Sequence, residues 1–247
     1  SEEYATPAGI QRAADFCRSI GVSGVVVIGG DGSFRGARCL TNAGINCIGV
    51  PGTIDNDIAC SEYTVGFDTA MNTAIQMVDR IRDTAQSHDR CSVVEVMGRN
   101  AGYIALNAGI ACGATYIITK EEPFTVNDVI SKIIEGQKSG KHHFIVIVAE
   151  GIGGSEQLAK EIEQATGVES RATILGHVQR GGSPSLRDRL LAARFGVKAI
   201  ECLIAGKKAV AVGVRNEEIV ADDLQKALAY PAADRSELFK VCEILCR

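Results

Sequence analysis

Short Val- and Ile-rich runs alternate along this chain with stretches of helical length, and that alternation restricts it to layered α/β folds. The runs fall at 25–28, 45–50, 92–97, 115–119, 144–149, 172–175 and 209–214, each bounded by Gly or polar residues. Short and β-branched, they read as buried strands. Between them Ile10, Ala13, Cys17 and Ile20 recur at spacings of three and four, as do Ala70, Ala74, Met77, Val78 and Ile81, and again Leu190, Ala193, Val197, Ile200 and Ile204. These spacings predict helices, the last two laying those faces on a sheet. Thr125 and Asp128 form a capping-box pair ahead of 126–138, and Gly140 sits where that helix stops. Strand and helix in alternation imply parallel βαβ units. Ligands of such sheets gather beyond the carboxyl ends of the strands, so the loops after the strands are where chemistry is expected.

Composition narrows the classes further. Lys and Arg number 26 against 30 Asp and Glu, a net charge of −4, which argues against a nucleic-acid surface and requires any anionic ligand to be held locally. At 247 residues a compact chain buries roughly 70–75% of its unfolded surface, enough for one large or two small domains. The nine cysteines are odd in number and never spaced C-x-x-C, so neither a disulfide framework nor a thiolate metal cage is indicated and a reducing, cytoplasmic location fits. No apolar run approaches the ~18 residues of a membrane span, and no signal-peptide pattern opens the chain.

Two loops, and groups scattered at further strand ends, carry candidate chemistry. Gly29-Gly30-Asp31-Gly32-Ser33 leaves the run 25–28 and enters a helix near Phe34. Glycines permit close approach of backbone to a phosphate, helix-start N–H groups attract anions, and Asp31 offers oxygen to Mg²⁺. It is not a G-x-x-x-x-G-K-[ST] loop, and a tight turn with a solvated Asp remains the plain alternative. Pro51-Gly52-Thr53-Ile54-Asp55-Asn56-Asp57 follows the run 45–50, and an extended backbone there would point Thr53, Asp55 and Asp57 into one cavity. One carboxylate would then take a proton from an attacking hydroxyl while the other steers metal or hydroxyl, although a polar surface turn has the same composition. Arg90, Met97-Gly98-Arg99, Glu150, Arg171 and His177-Val178-Gln179-Arg180 stand at further strand ends, where Arg suits a phosphorylated substrate, though each alone reads as a surface residue. His88, His142, His143 and His177 lack metal-ligand spacing.

Taken in order, GGDGS (29–33), PGTIDND (51–57), GFDTA (66–70), RDTAQSH (82–88), VEVMGRNAGYIAL (94–106), RATILGHVQRGGSP (171–184) and DR (188–189) resemble the phosphofructokinase family over nearly the whole chain. The resemblance implies an α/β fold of two interleaved doubly wound, mostly parallel-sheet domains with the active site in the cleft between them. The larger, nucleotide-binding domain would comprise 1–66 and 179–229, and the smaller, sugar-phosphate-binding domain 67–178 and 230–247. It implies phosphoryl transfer from Mg-ATP to the 1-hydroxyl of fructose 6-phosphate, a glycolytic step. By matched position Asp55 is the general base, with Thr53 and Asp57 beside it and Arg99 stabilising the moving phosphoryl. Gly29, Gly30, Asp31, Gly32 and Ser33 line the nucleotide, Asp31 serving Mg²⁺. Met97, Gly98, Glu150, His177 and Arg180 hold the sugar phosphate, with Arg90 and Arg171 reaching in from a neighbouring subunit of a homotetramer. No nucleic acid or membrane partner is implied.

Pyrophosphate-using relatives carry Asp at the position of Gly32 and Lys at that of Gly52, so glycine at both favours ATP. Arg82 and Lys141 match parts of the effector site of bacterial members, where Thr115 replaces an often acidic, metal-binding residue. Family members open with a strand and a GGDAPG-type loop that nothing here matches, so the first strand is expected to be missing, and the chain to be an incomplete and, alone, inactive piece of a larger enzyme. A pyrophosphate-dependent phosphofructokinase, an NAD-kinase-like or lipid-kinase-like enzyme, and a catalytically inert regulatory subunit are the alternatives to this reading.

Overall fold

The computed structural model describes residues 4, 6–231 and 234–245. The expected domain limits at residues 1 and 247, together with residues 2, 3, 5, 232, 233 and 246, lie outside the described residues, Cys246 among them. The chain divides into two compact units, Ser1–Phe67 with Pro184–Ala233, and Asp68–Ser183 with Asp234–Arg247. Residues 179–183, expected in the first domain, group with the second unit, where Gln179 is hydrogen-bonded to Met97, and Phe67, Tyr230 and Pro231, expected in the second domain, group with the first unit.

The first unit opens with helix α1 (Pro7–Ser19), whose Thr6 N-cap accepts from Gly9 N. Strand β1 (Val25–Gly29), helix α2 (Asp31–Asn42) and strand β2 (Cys47–Pro51) follow. After the second unit the chain returns through helix α7 (Leu186–Ile204), strands β7 (Val210–Arg215) and β8 (Glu218–Asp223) and the short helix α8 (Leu224–Ala227). The sheet order is β1-β2-β7-β8, parallel but for the β7–β8 pair. Strand β8 is absent from the sequence expectation. Asn216 and Glu217 both adopt positive φ, 48° and 65°, in a two-residue hairpin turn that would ordinarily carry a glycine.

The helix face expected on this sheet also needs correction. In α7, Leu191, Phe195, Ala199 and Cys202 are buried against Ile48, Val50, Val210 and Val212. Leu190, Val197, Ile200 and Ile204, the stripe anticipated to be inside, are 50–83% exposed. The helix carries apolar residues on two faces, and a one-residue offset rotates the stripe by about 100°. Phe195 can fill the space over the sheet, so its face turns inward.

The second unit contains α3 (Phe67–Ser87), β3 (Cys91–Val96), α4 (Tyr103–Ala111), β4 (Tyr116–Ile118), α5 (Val126–Lys138), β5 (Phe144–Ala149), α6 (Ser155–Thr166), β6 (Ser170–Ile174), the 3-10 turn Gly176–Arg180 and α9 (Ser236–Leu245). Its sheet, β4-β5-β3-β6, is wholly parallel. All six residues of β5 are buried, as a strand covered on both faces requires. Val93, Val146, Val148, Ile118, Ile133 and Phe144 form one core cluster, each contributing roughly 1.5–3 kcal/mol on burial. In α3 the expected face holds, with Ala70, Ala74 and Val78 fully buried. The Thr125–Asp128 capping box is present in both directions, at 3.2 and 2.7 Å, and Gly140 takes φ 84° past the end of α5. No disulfide joins the described cysteines. No helix among the described residues is long and apolar enough to cross a membrane.

Candidate active site

At the end of β1 the chain enters α2 sooner than the sequence suggests. Gly30 is the N-cap, its carbonyl accepting from Phe34 N at 3.0 Å, so Asp31, Gly32 and Ser33 form the first helical turn rather than a loop. Their N–H groups are helix-start donors without intrahelical partners, which gives an anion-binding terminus in place of a wide cradle. A side chain at Gly29 would meet Ser33 Oγ at 2.3 Å, and the space is closed to anything larger than hydrogen. Asp31 is half-buried and pairs with Arg35 at 2.8 Å across one helical turn. Gly32 is open, with nothing within 4 Å of a built Cβ.

The loop after β2 lies beside this terminus. Gly52 N donates to Gly29 O at 3.0 Å, and a Cβ on Gly30 would stand 3.4 Å from Thr53 Cβ. The loop is not extended: it turns at Ile54-Asp55, and Asn56 is left-handed with φ 51°. The alternation that would have pointed Thr53, Asp55 and Asp57 the same way is therefore absent. A local bond replaces it, Asp55 N donating to Thr53 Oγ1 at 3.2 Å. Thr64 Oγ1 donates to Thr53 O at 2.6 Å and Asn56 Nδ2 to Glu62 O at 3.1 Å, fixing the turn from the segment that follows. Asp55 is buried and Asp57 half-buried. Asp188, also buried, accepts from Gly66 N at 2.9 Å and anchors the exit of that segment to the start of α7. The sequence singles out Asp188 only as part of a dipeptide match; its capping position behind Ser185 is the signal that places it.

In the second unit, three consecutive backbone N–H groups of the loop after β3 are held by side chains. Met97 N donates to Gln179 Oε1 at 2.8 Å, Gly98 N to Glu150 Oε1 at 3.2 Å, and Arg99 N to the same Glu150 oxygen. Gly98 has φ 143° and Arg99 φ 58°. Gly151 lets the loop after β5 approach, since a Cβ there would lie 2.6 Å from Arg99 O. Met97, Gly98, Arg99, Glu150, Gln179 and, on the same turn as Gln179, His177 and Arg180 are thus gathered at the carboxyl ends of β3 and β5. His177 and Arg180 are exposed and three residues apart, which eclipses them on one side of a 3-10 turn.

Arg90 and Arg171 meet at a residue that the sequence did not mark. Glu169 stands between them, with Oε2 2.8 Å from Arg90 Nε and Oε1 2.8 Å from Arg171 NH2. Arg90 first, and then Arg171, hold the Glu169 carboxyl below the usual carboxylate range. A depressed pKa of this kind stabilises the fold at neutral pH, and the contribution is lost as pH falls through the folded-state value. The Glu169 carboxyl should accordingly titrate below an ordinary Glu by NMR and return toward the ordinary value in Arg90→Ala. An unchanged midpoint in that variant would remove Arg90 as the cause.

Arg82 donates to Cys112 O, and Lys141 Nζ lies 3.1 Å from Thr115 Oγ1. Burial first, then Lys141 and Arg82, push the His143 pKa down, which places these cations in one neighbourhood.

Comparisons with known proteins converge on one family. Residues 1–203 match the profile of the family described as Phosphofructokinase. A protein of Clostridium botulinum (strain Loch Maree / Type A3) named ATP-dependent 6-phosphofructokinase is 50% identical over 246 residues, covering 100% of this chain and 77% of that protein. A protein of the same name from Clostridium novyi (strain NT) is 49% identical over 244 residues, covering 99% of this chain and 76% of that protein. Among solved structures, phosphofructokinase from Saccharomyces cerevisiae superposes with a TM-score of 0.82 at 29% identity, over 100% of this chain and 38% of the yeast chain. The pyrophosphate-dependent phosphofructokinase of Marinobacter aquaeolei shares the fold, with a TM-score of 0.78 at 22% identity over 96% of this chain and 71% of that chain. Sequence matches across the whole chain and a common fold agree: the chain belongs to the phosphofructokinase family.

Proposed function

We propose that the enzyme to which this chain belongs catalyses transfer of the terminal phosphoryl group of ATP to the 1-hydroxyl of fructose 6-phosphate, giving fructose 1,6-bisphosphate and ADP, with this chain supplying the residues named below. The observation that carries the reading is 50% identity, over 246 residues, to a protein named ATP-dependent 6-phosphofructokinase. In the reaction the sugar oxygen bonds to phosphorus, the bond from phosphorus to the bridging oxygen of ADP breaks, and the hydroxyl proton passes to a carboxylate oxygen of Asp55. Thr53 Oγ1, bonded to Asp55 N, fixes that carboxylate's backbone, and Asp57 steers the hydroxyl. Arg99 stabilises charge on the moving phosphoryl, as cationic clamps do in such transfers. The start of α2, with Gly29, Gly30, Gly32 and Ser33, receives the nucleotide phosphates.

Among the described residues no three His, Cys, Asp or Glu side chains cluster as a metal site. A single carboxylate at a helix start suits Mg²⁺ brought by phosphate oxygens, since such ions need only one or two protein carboxylates, and the Asp31 oxygen not bonded to Arg35 is the one to meet it. Asp31 is the residue that would hold it, and the ion, when bound, would supply charge neutralisation at the phosphate oxygens. Met97, Gly98 and Glu150 orient the sugar, His177 and Arg180 bind its phosphate, and Arg90 and Arg171 serve the site of a neighbouring subunit in a cytoplasmic homotetramer. Arg82 and Lys141 receive an anionic effector.

Donor choice tests the reading. The enzyme should use Mg-ATP and ignore pyrophosphate at equal concentration. Because a Cβ at Gly32 meets nothing within 4 Å, Gly32→Asp adds charge without a clash. Repulsion of the nucleotide phosphates should lower kcat/KM for ATP at least about tenfold. Faster turnover of the parent with pyrophosphate would overturn the assignment.

A further inference from the structure

We propose that Gln179 is a positioning residue that locks the Met97–Arg99 loop to the turn bearing His177 and Arg180, and so sets affinity for the phosphorylated sugar. The inference rests on the functional reading above, which gives both segments to the sugar phosphate. Gln179 is the buried residue of the turn Gly176–Arg180, 1% exposed, while His177, Val178 and Arg180 are exposed. The turn is held at its start by Leu175 N, which donates to Glu95 O at 3.0 Å, and within its span Gln179 is the buried side chain that ties it to the loop after β3. Its Oε1 accepts from Met97 N at 2.8 Å, whereas its Nε2 is buried without a hydrogen-bond partner.

That asymmetry separates an anchoring role from simple packing. An apolar side chain of similar length would fill the space without burying an unpaired donor, which is a costly arrangement. The amide brings one thing that Met or Leu lacks, an acceptor aimed at Met97 N. Glu150 grips the next two N–H groups from the other side of the loop, so Gln179 and Glu150 together fix three successive peptide groups. Removing the Gln179 acceptor leaves Met97 N–H unpaired and frees the His177–Arg180 turn to shift against the loop after β3. Misplacement of a binding group by about 1 Å can cost on the order of 100-fold in rate.

Gln179→Met keeps the volume and removes the acceptor, and Gln179→Glu restores an acceptor oxygen. In Gln179→Met the KM for fructose 6-phosphate should rise about 10- to 100-fold while the KM for ATP stays within about twofold. Gln179→Glu should recover most of the loss, more completely at lower pH, where the buried carboxyl is neutral and adds no charge beside Glu150. A second measurement is independent of catalysis: amide hydrogen exchange at Met97 should accelerate in Gln179→Met and return toward the parent rate in Gln179→Glu. An unchanged sugar-phosphate KM, equal changes in both KM values, or unchanged exchange at Met97 would each overturn the proposal. If the parent enzyme does not phosphorylate fructose 6-phosphate, the functional reading fails, and the exchange rates still decide whether Gln179 fixes the loop.

Discussion

Replacing Asp55 by Asn should leave binding of fructose 6-phosphate within about twofold of the parent and reduce kcat by about 10²–10⁴, the usual contribution of general base catalysis. The carboxylate is buried in a turn whose backbone is held at three points, by Thr53 Oγ1 on Asp55 N, by Thr64 Oγ1 on Thr53 O, and by Asn56 on Glu62 O. Asn preserves those backbone contacts and the side-chain volume. What it removes is the basic oxygen that takes the hydroxyl proton. The loss should therefore appear in kcat and only weakly in the sugar-phosphate KM. Measuring both constants, with a thermal melt to confirm an intact fold, checks it. Turnover near that of the parent would take the proton-accepting role away from Asp55.

The second large effect is expected at Gly98. At φ 143° an L side chain is strained, and a Cβ would come within 2.4 Å of Ala101 O. That carbonyl cannot yield alone, because the turn is closed by Ala101 N donating to Gly98 O at 2.9 Å. Gly98→Ala must therefore move backbone, and the groups displaced are Met97 and Arg99 on either side. Stability should fall by about 1–3 kcal/mol and kcat/KM by about 100-fold. Urea unfolding and steady-state kinetics measure the two together. A Gly98→Ala enzyme with both properties unchanged would show that the loop tolerates other conformations.

Some of this is legible in the sequence. The strand runs stand out because a parallel strand covered on both faces must be apolar throughout, as in β5, where all six residues are buried. The α5 capping box is legible because it is a contact between residues three apart. The loops of the site are legible as motifs of unusual composition at strand ends, and the family resemblance that they carry agrees with the profile and whole-chain matches.

Tertiary structure decided whatever depended on partners distant in sequence. Helix α7 has two apolar stripes, and only the space above β2 and β7 selects the one containing Phe195. Strand β8 exists because β7 offers it an edge, despite a turn whose Asn216 and Glu217 lack the usual glycine. The turn at Ile54-Asp55 replaces an extended segment because Thr64 and Glu62 hold it from behind. Glu169 joins Arg90 from beyond helices α4, α5 and α6, and Gln179 reaches Met97 across 82 positions of sequence. A sequence specifies local propensity and period within one element. Which face turns inward, and which polar group meets which, follows from packing density and from the cost of leaving buried polar groups unpaired, and both are settled only when the elements come together.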